Sequence, residues 1–186
     1  SLFVFLSLCS IYSYIYDHSR KKSGTVTPVL FVLTSLTRPE GFFLFGLTFI
    51  HRITVSIISG RFKLKEHVRW AATFVGLLLP FFLWRLLYYG YSFPNTFYAK
   101  TGTSSVYLKM GLAYTASFLD KYALWGIALI APIVILFFRR ARFWYGYFLL
   151  LLTAYILYVT IIGGDVLLEN GFYIPVFFLM YIFVQE

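Results

Sequence analysis

Charge is scarce in this chain. Asp, Glu, Lys and Arg make up 12% of its 186 residues, where a water-soluble domain carries about 25%. That is too little polar surface to coat a core in water. Acidic residues are the scarcest, seven against 16 Lys and Arg. Cysteine occurs once, as Cys9, which excludes an internal disulfide and a cysteine-based zinc site. Cys9 stands in an apolar run and reads as a small buried or lipid-facing residue. The three histidines, His18, His51 and His67, lack metal-ligand spacing, so no metal is expected on their account. No Walker motif, dinucleotide fingerprint or Gly-x-Ser-x-Gly element occurs.

What is abundant is apolar and aromatic. Hydrophobic residues make up 60% and Phe, Trp and Tyr 23%, with mean hydropathy +0.79. The expected class is a polytopic membrane protein, an all-α bundle of transmembrane helices. A net charge of +9 in a soluble domain would point to nucleic acid. In a membrane chain it reads as basic residues kept on the cytoplasmic side, and no nucleic-acid partner is expected. Ser1–Tyr16 has neither a charged leading region nor a small-residue cleavage site, so it is a poor signal peptide. Residues 1–186 are read as one transmembrane domain, an internal piece of a longer membrane protein.

Apolar runs cover Leu2–Tyr16, Thr25–Thr37, Phe42–Ile58, Trp70–Tyr89, Tyr122–Phe138, Phe143–Ile162 and Tyr173–Val184, about seven membrane segments. Basic clusters stand at Arg20–Lys22, Arg61–Arg69 and Arg139–Arg142, and a long polar region is expected over Tyr91–Lys121. The positive-inside rule puts the three clusters on the cytoplasmic side. With Arg52, counted on the same side, 11 of the 16 basic residues then lie inside. The other five, Arg38, Arg85, Lys100, Lys109 and Lys121, fall elsewhere. The run Thr25–Thr37 rises only about 20 Å, less than a hydrocarbon core of about 30 Å. Its end at Arg38-Pro39-Glu40-Gly41 is therefore placed near a cavity open to the outer face.

The longest interruption that is not a basic loop runs from Trp84 to Gly102. Tyr and Trp at this density fit a membrane interface, and Gly90 and Pro94 predict a helix end near Gly90 followed by a shaped loop. Arg85, one turn inside the apparent membrane edge, snorkels or faces a polar cavity. Three polar groups thus share the outer face: Arg38 with Glu40; Arg85, Tyr88, Tyr89, Asn95, Tyr98 and Lys100; and Asp165 with Glu169. The cations Arg38, Arg85 and Lys100 suit a phosphate, and the aromatics suit sugar rings or a polyprenyl chain. The competing explanation is interfacial anchoring, equal in weight for Lys100 and Tyr98 and weaker for Arg38. Gly163-Gly164-Asp165 is either a ligand-approaching turn or a plain loop whose Asp caps a helix.

These residues resemble a family. Leu33-Thr34-Ser35-Leu36-Thr37-Arg38-Pro39-Glu40-Gly41 is similar to an element of polytopic C-type (GT-C) glycosyltransferases. Trp84-Arg85 through Tyr88-Tyr89-Gly90 and Pro94-Asn95-Thr96-Phe97-Tyr98-Ala99-Lys100 resembles a block of the branch that includes the mycobacterial terminal arabinofuranosyltransferases. Gly163-Gly164-Asp165 and Pro175 resemble a later element, with Gly171 where the family pattern has an arginine. The middle block is the specific one; the other two are weak alone. The resemblance implies a multi-pass protein of the bacterial cytoplasmic membrane. It would move a sugar from a polyprenyl-phosphate donor to an envelope glycan or lipid acceptor on the extracytoplasmic face. Arg38, Glu40, Arg85, Tyr88, Tyr89, Asn95, Tyr98, Lys100 and Asp165 would bind substrate. The catalytic carboxylate is expected upstream of Ser1. No organic cofactor is implied, and a divalent cation stays open. The alternative is a non-enzymatic flippase or exporter of envelope glycolipid.

Overall fold

The structure, a computed structural model, describes residues 1–20, 24–91, 105–121, 142–164, 171–175 and 177. Among these residues every regular element is helical. The chain divides into two compact units, Ser1–Phe93 and Pro94–Glu186. The expectations for Tyr122–Phe138, for Lys21, Lys22, Arg139 and Arg140 of the basic clusters, for most of the run Tyr173–Val184, and for Asn95, Tyr98, Lys100, Asp165 and Glu169 lie outside the described residues.

The first unit holds four helices. α1 spans Leu2–Ser19, and Ser1 caps it by accepting the Val4 N–H on its hydroxyl at 3.4 Å. α2 spans Val26–Thr37 and tolerates Pro28 because that proline lies in the first turn. It stops at Arg38, which is extended (φ −151°, ψ 143°); the following Pro39 disfavours a helical residue before it. α3 starts at Glu40, whose carboxylate suits the positive end of a helix dipole, and runs to Ile58. α4 spans Leu64–Tyr89 and ends on Gly90 in the left-handed region, φ 73°. That end falls where Gly90 predicts it. The start lies six residues before the expected Trp70, because Glu66 pairs with Lys63 at 3.3 Å and His67 continues the buried stripe of Trp70, Phe74 and Leu78.

Contacts between neighbouring helices run antiparallel. Ser10 meets Thr34 and Ser13 meets Thr27 between α1 and α2. Between α3 and α4, Phe42 meets Phe82, Phe45 stacks on Phe74 with ring centroids 3.6 Å apart, and Phe49 stacks on Trp70. The start of α1, the end of α2, the start of α3 and the end of α4 therefore share one end of the unit. α2 packs on α1, α3 and α4. Its close approach to α3 depends on Gly41: a Cβ there would stand 2.5 Å from the Ser35 Cα and N.

α3 and α4 are long and apolar enough to cross a membrane, with mean hydropathy 1.7 in each apolar window. They are not core helices of this unit. Only 22% of the window is buried in α3 and 17% in α4, and Leu79, Leu83 and Leu87 stand exposed on α4.

The second unit pairs α5, Ser105–Lys121, with α6, Arg142–Ile162, and adds a 3-10 turn at Gly171–Tyr173. α5 departs from the polar region expected over Tyr91–Lys121. Its Ser, Thr and Lys residues mask a helical stripe in which Gly111, Phe118 and Leu119 are buried. Gly111 meets the Thr160 backbone of α6 directly. The pair Gly163 (φ 94°) and Gly164 (φ 75°) turns the chain after α6 and packs on Tyr107 and Tyr114 of α5. Added Cβ atoms would meet those rings at 2.9 and 2.6 Å, so close helix packing already accounts for both glycines.

Candidate functional site

The break between α2 and α3 brings two expected site residues together. Arg38 reaches Glu40 with Nη2 3.1 Å from Oε1, and its guanidinium lies over the Phe3 ring of α1, 5.4 Å from the centroid. The two members differ in exposure. The Arg38 side chain is 37% exposed and the Glu40 side chain 5%. Glu40 Oε2 is buried and meets no hydrogen-bond partner among the described residues. A buried acceptor left in that state costs about 1–3 kcal/mol, so a purely structural fold gains little by keeping it. The geometry follows from the local sequence: Pro39 extends Arg38 and starts α3 at Glu40, while Gly41 holds the α3 start against α2.

The last turn of α4 carries the second group. Arg85 lies over Tyr89 at 5.4 Å, and its Nε is buried without a hydrogen-bond partner among the described residues. Trp84, Tyr88 and Tyr89 form a ring cluster with centroids 4.7 to 6.0 Å apart. Tyr88 is 71% and Tyr89 54% exposed. This group and the Arg38–Glu40 pair stand on separate elements, the end of α4 and the break between α2 and α3. The helix register nevertheless sets them at one level. Phe42, two residues after Glu40, contacts Phe82, and Arg85 stands three residues further along α4, about 4.5 Å of rise.

The opposite end of the unit is built from buried polar residues that sequence reading did not single out. Thr27 donates to Asp17 Oδ2 at 2.9 Å, so the Ser13 hydroxyl, 2.8 Å away, donates to Thr27. Tyr14 Oη lies 2.9 Å from His51 Nδ1, and Trp70 donates its indole N–H to the Gly24 carbonyl at 2.9 Å. Arg52 stacks 4.7 Å over Trp70 and reaches Glu66 at 3.6 Å. One signal for this seam was present: Ser7, Ser10, Tyr14 and Asp17 recur at three- and four-residue spacing, the period of one helix face. Among the described residues no three His, Cys, Asp or Glu side chains gather as a metal site.

No family model, no curated protein and no solved structure matches the chain. The site is therefore argued from its own chemistry.

Proposed function

We propose that the chain is the membrane portion of a glycosyltransferase that moves a sugar from a polyprenyl-phosphate donor to an extracytoplasmic glycan or lipid acceptor. The observation that carries this reading is the half-open Arg38–Glu40 pair at the same end of the helical unit as Arg85. A membrane is the natural cover for α3 and α4, whose apolar faces stay exposed in the folded chain. The opposite end carries Arg20 and the cluster Arg61–Arg69, and this charge asymmetry supports an extracytoplasmic side for Arg38 and Arg85. In this reading the two guanidiniums face the headgroup layer where a donor phosphate lies. Cations at that position meet the charge that grows on the departing phosphate. Glu40 orients Arg38, and its second oxygen is an acceptor suited to a sugar hydroxyl.

The test is donor binding by the full-length protein in nanodiscs. Arg38→Gln is expected to weaken binding of a polyprenyl-phosphate sugar by ten- to a hundredfold, the range of one charge-assisted contact. Unchanged donor affinity in a correctly inserted variant contradicts the reading.

A second reading has its own observation. Asp17, Arg52 and Glu66, with Tyr14 and His51, place titratable groups among the helices, as a flippase or exporter of envelope glycolipid requires. They gather at one end of the unit rather than along it, which favours the enzyme.

A further inference from the structure

The turn between α3 and α4 is rigidly built. The Gly60 N–H donates to the Ile57 carbonyl at 3.0 Å and the Arg61 N–H to the Ser56 carbonyl at 2.9 Å, with Gly60 left-handed at φ 65°. This double bond pattern closes a helix end and fixes the residues that follow. Beyond it the sequence alternates Arg61, Phe62, Lys63, Leu64 and Lys65, and all five are exposed. Phe62 is held in place by stacking on His67, centroids 4.9 Å apart, while 46% exposed; Leu64 is 63% and the neighbouring Ile58 80% exposed. The one acid of the stretch, Glu66, is already engaged by Arg52 and Lys63. Cations and bare apolar side chains therefore project together from a fixed turn at the end of two long apolar helices.

We propose that this turn is a contact site for anionic phospholipid, in which Arg61 and Lys65 meet headgroup phosphates while Phe62 and Leu64 enter the acyl boundary. The proposal rests on the reading that α3 and α4 cross a membrane. Charge complementarity selects the occupant: basic residues at a leaflet surface favour anionic lipid, and apolar neighbours favour a bilayer edge over a soluble anion. Nucleic acid would use the cations but leave Ile58 and Leu64 in water.

The test places a fluorophore on Leu64→Cys in a Cys9→Ser background of the full-length protein. The labelled protein is reconstituted in phosphatidylcholine vesicles containing spin-labelled phosphatidylglycerol or spin-labelled phosphatidylcholine. Quenching by the anionic lipid is expected to exceed quenching by the zwitterionic one at equal content. Arg61→Gln with Lys65→Gln should lower that local preference by roughly fivefold per cation. Salt at 1 M, where screening acts within about 3 Å, should lower it likewise. Equal quenching by both lipids overturns the headgroup site and leaves the membrane reading intact. Quenching by neither overturns both. Protection of the label by a short oligonucleotide, without lipid preference, overturns the proposal in favour of nucleic-acid binding.

Discussion

Gly41 has no side chain because none fits. A Cβ there would lie 2.5 Å from the Ser35 backbone, whereas one at Gly46 on the same helix would meet nothing within 4 Å. Gly41→Ala is expected to push α3 off α2 and cost about 1–3 kcal/mol, as overpacking does. Gly46→Ala should be neutral or slightly stabilising. Thermal unfolding of the two variants in detergent checks the contrast. At Arg85 the expectation is functional. Arg85→Lys should lower turnover because a point charge does not restore a forked contact, and Lys100→Gln should do so by removing its charge. Turnover falls by roughly ten- to a hundredfold in each. Wild-type turnover with normal insertion would leave Arg85 and Lys100 as interfacial anchors. Pro39 and Gly90 were legible in the sequence because each acts on the backbone next to it. Glu40's orphan oxygen was not, since it depends on what α1 and α2 place around the α3 start.

Among the elements, α1 and α2 are joined by two hydroxyl pairs, Ser10 with Thr34 and Ser13 with Thr27. Thr27→Val removes the donor to Asp17 and the acceptor of Ser13. A loss of about 1–3 kcal/mol is expected in denaturation, because a buried carboxylate loses its partner. Thr34→Val breaks the Ser10 pair, 3.1 Å long, and a bond within α2 to the Leu30 carbonyl, with no charged partner among them, and should cost about 0.6 kcal/mol, the average for polar contacts between membrane helices. Equal losses would refute the special weight given to Asp17. The lengths of α2 and α3 could be read from apolar runs bounded by Pro39 and Gly60. α5 differs from the polar region expected there: Ser105, Lys109 and Lys121 give it a polar composition, while the face packed on α6 holds Gly111 and Thr115, whose hydroxyl lies 2.8 Å from that of Thr160. The Ser10–Thr34 contact joins residues 24 apart, a pairing that no local pattern specifies.

For the whole molecule, the proposed topology makes a direct prediction. In a Cys9→Ser background, a cysteine at position 63 should resist a membrane-impermeant reagent in intact cells and one at position 98 should react. The reverse pattern would invert the proposed face of the site. The central claim is sugar transfer, and one measurement addresses it most directly. The full-length protein in nanodiscs is supplied with radiolabelled polyprenyl-phosphate sugars and envelope acceptors, and labelled product is counted for wild type and Arg38→Gln. The account predicts acceptor labelling that falls ten- to a hundredfold in the variant. Movement of intact lipid-linked sugar across vesicles, with no label on any acceptor, would contradict it and establish the transporter instead.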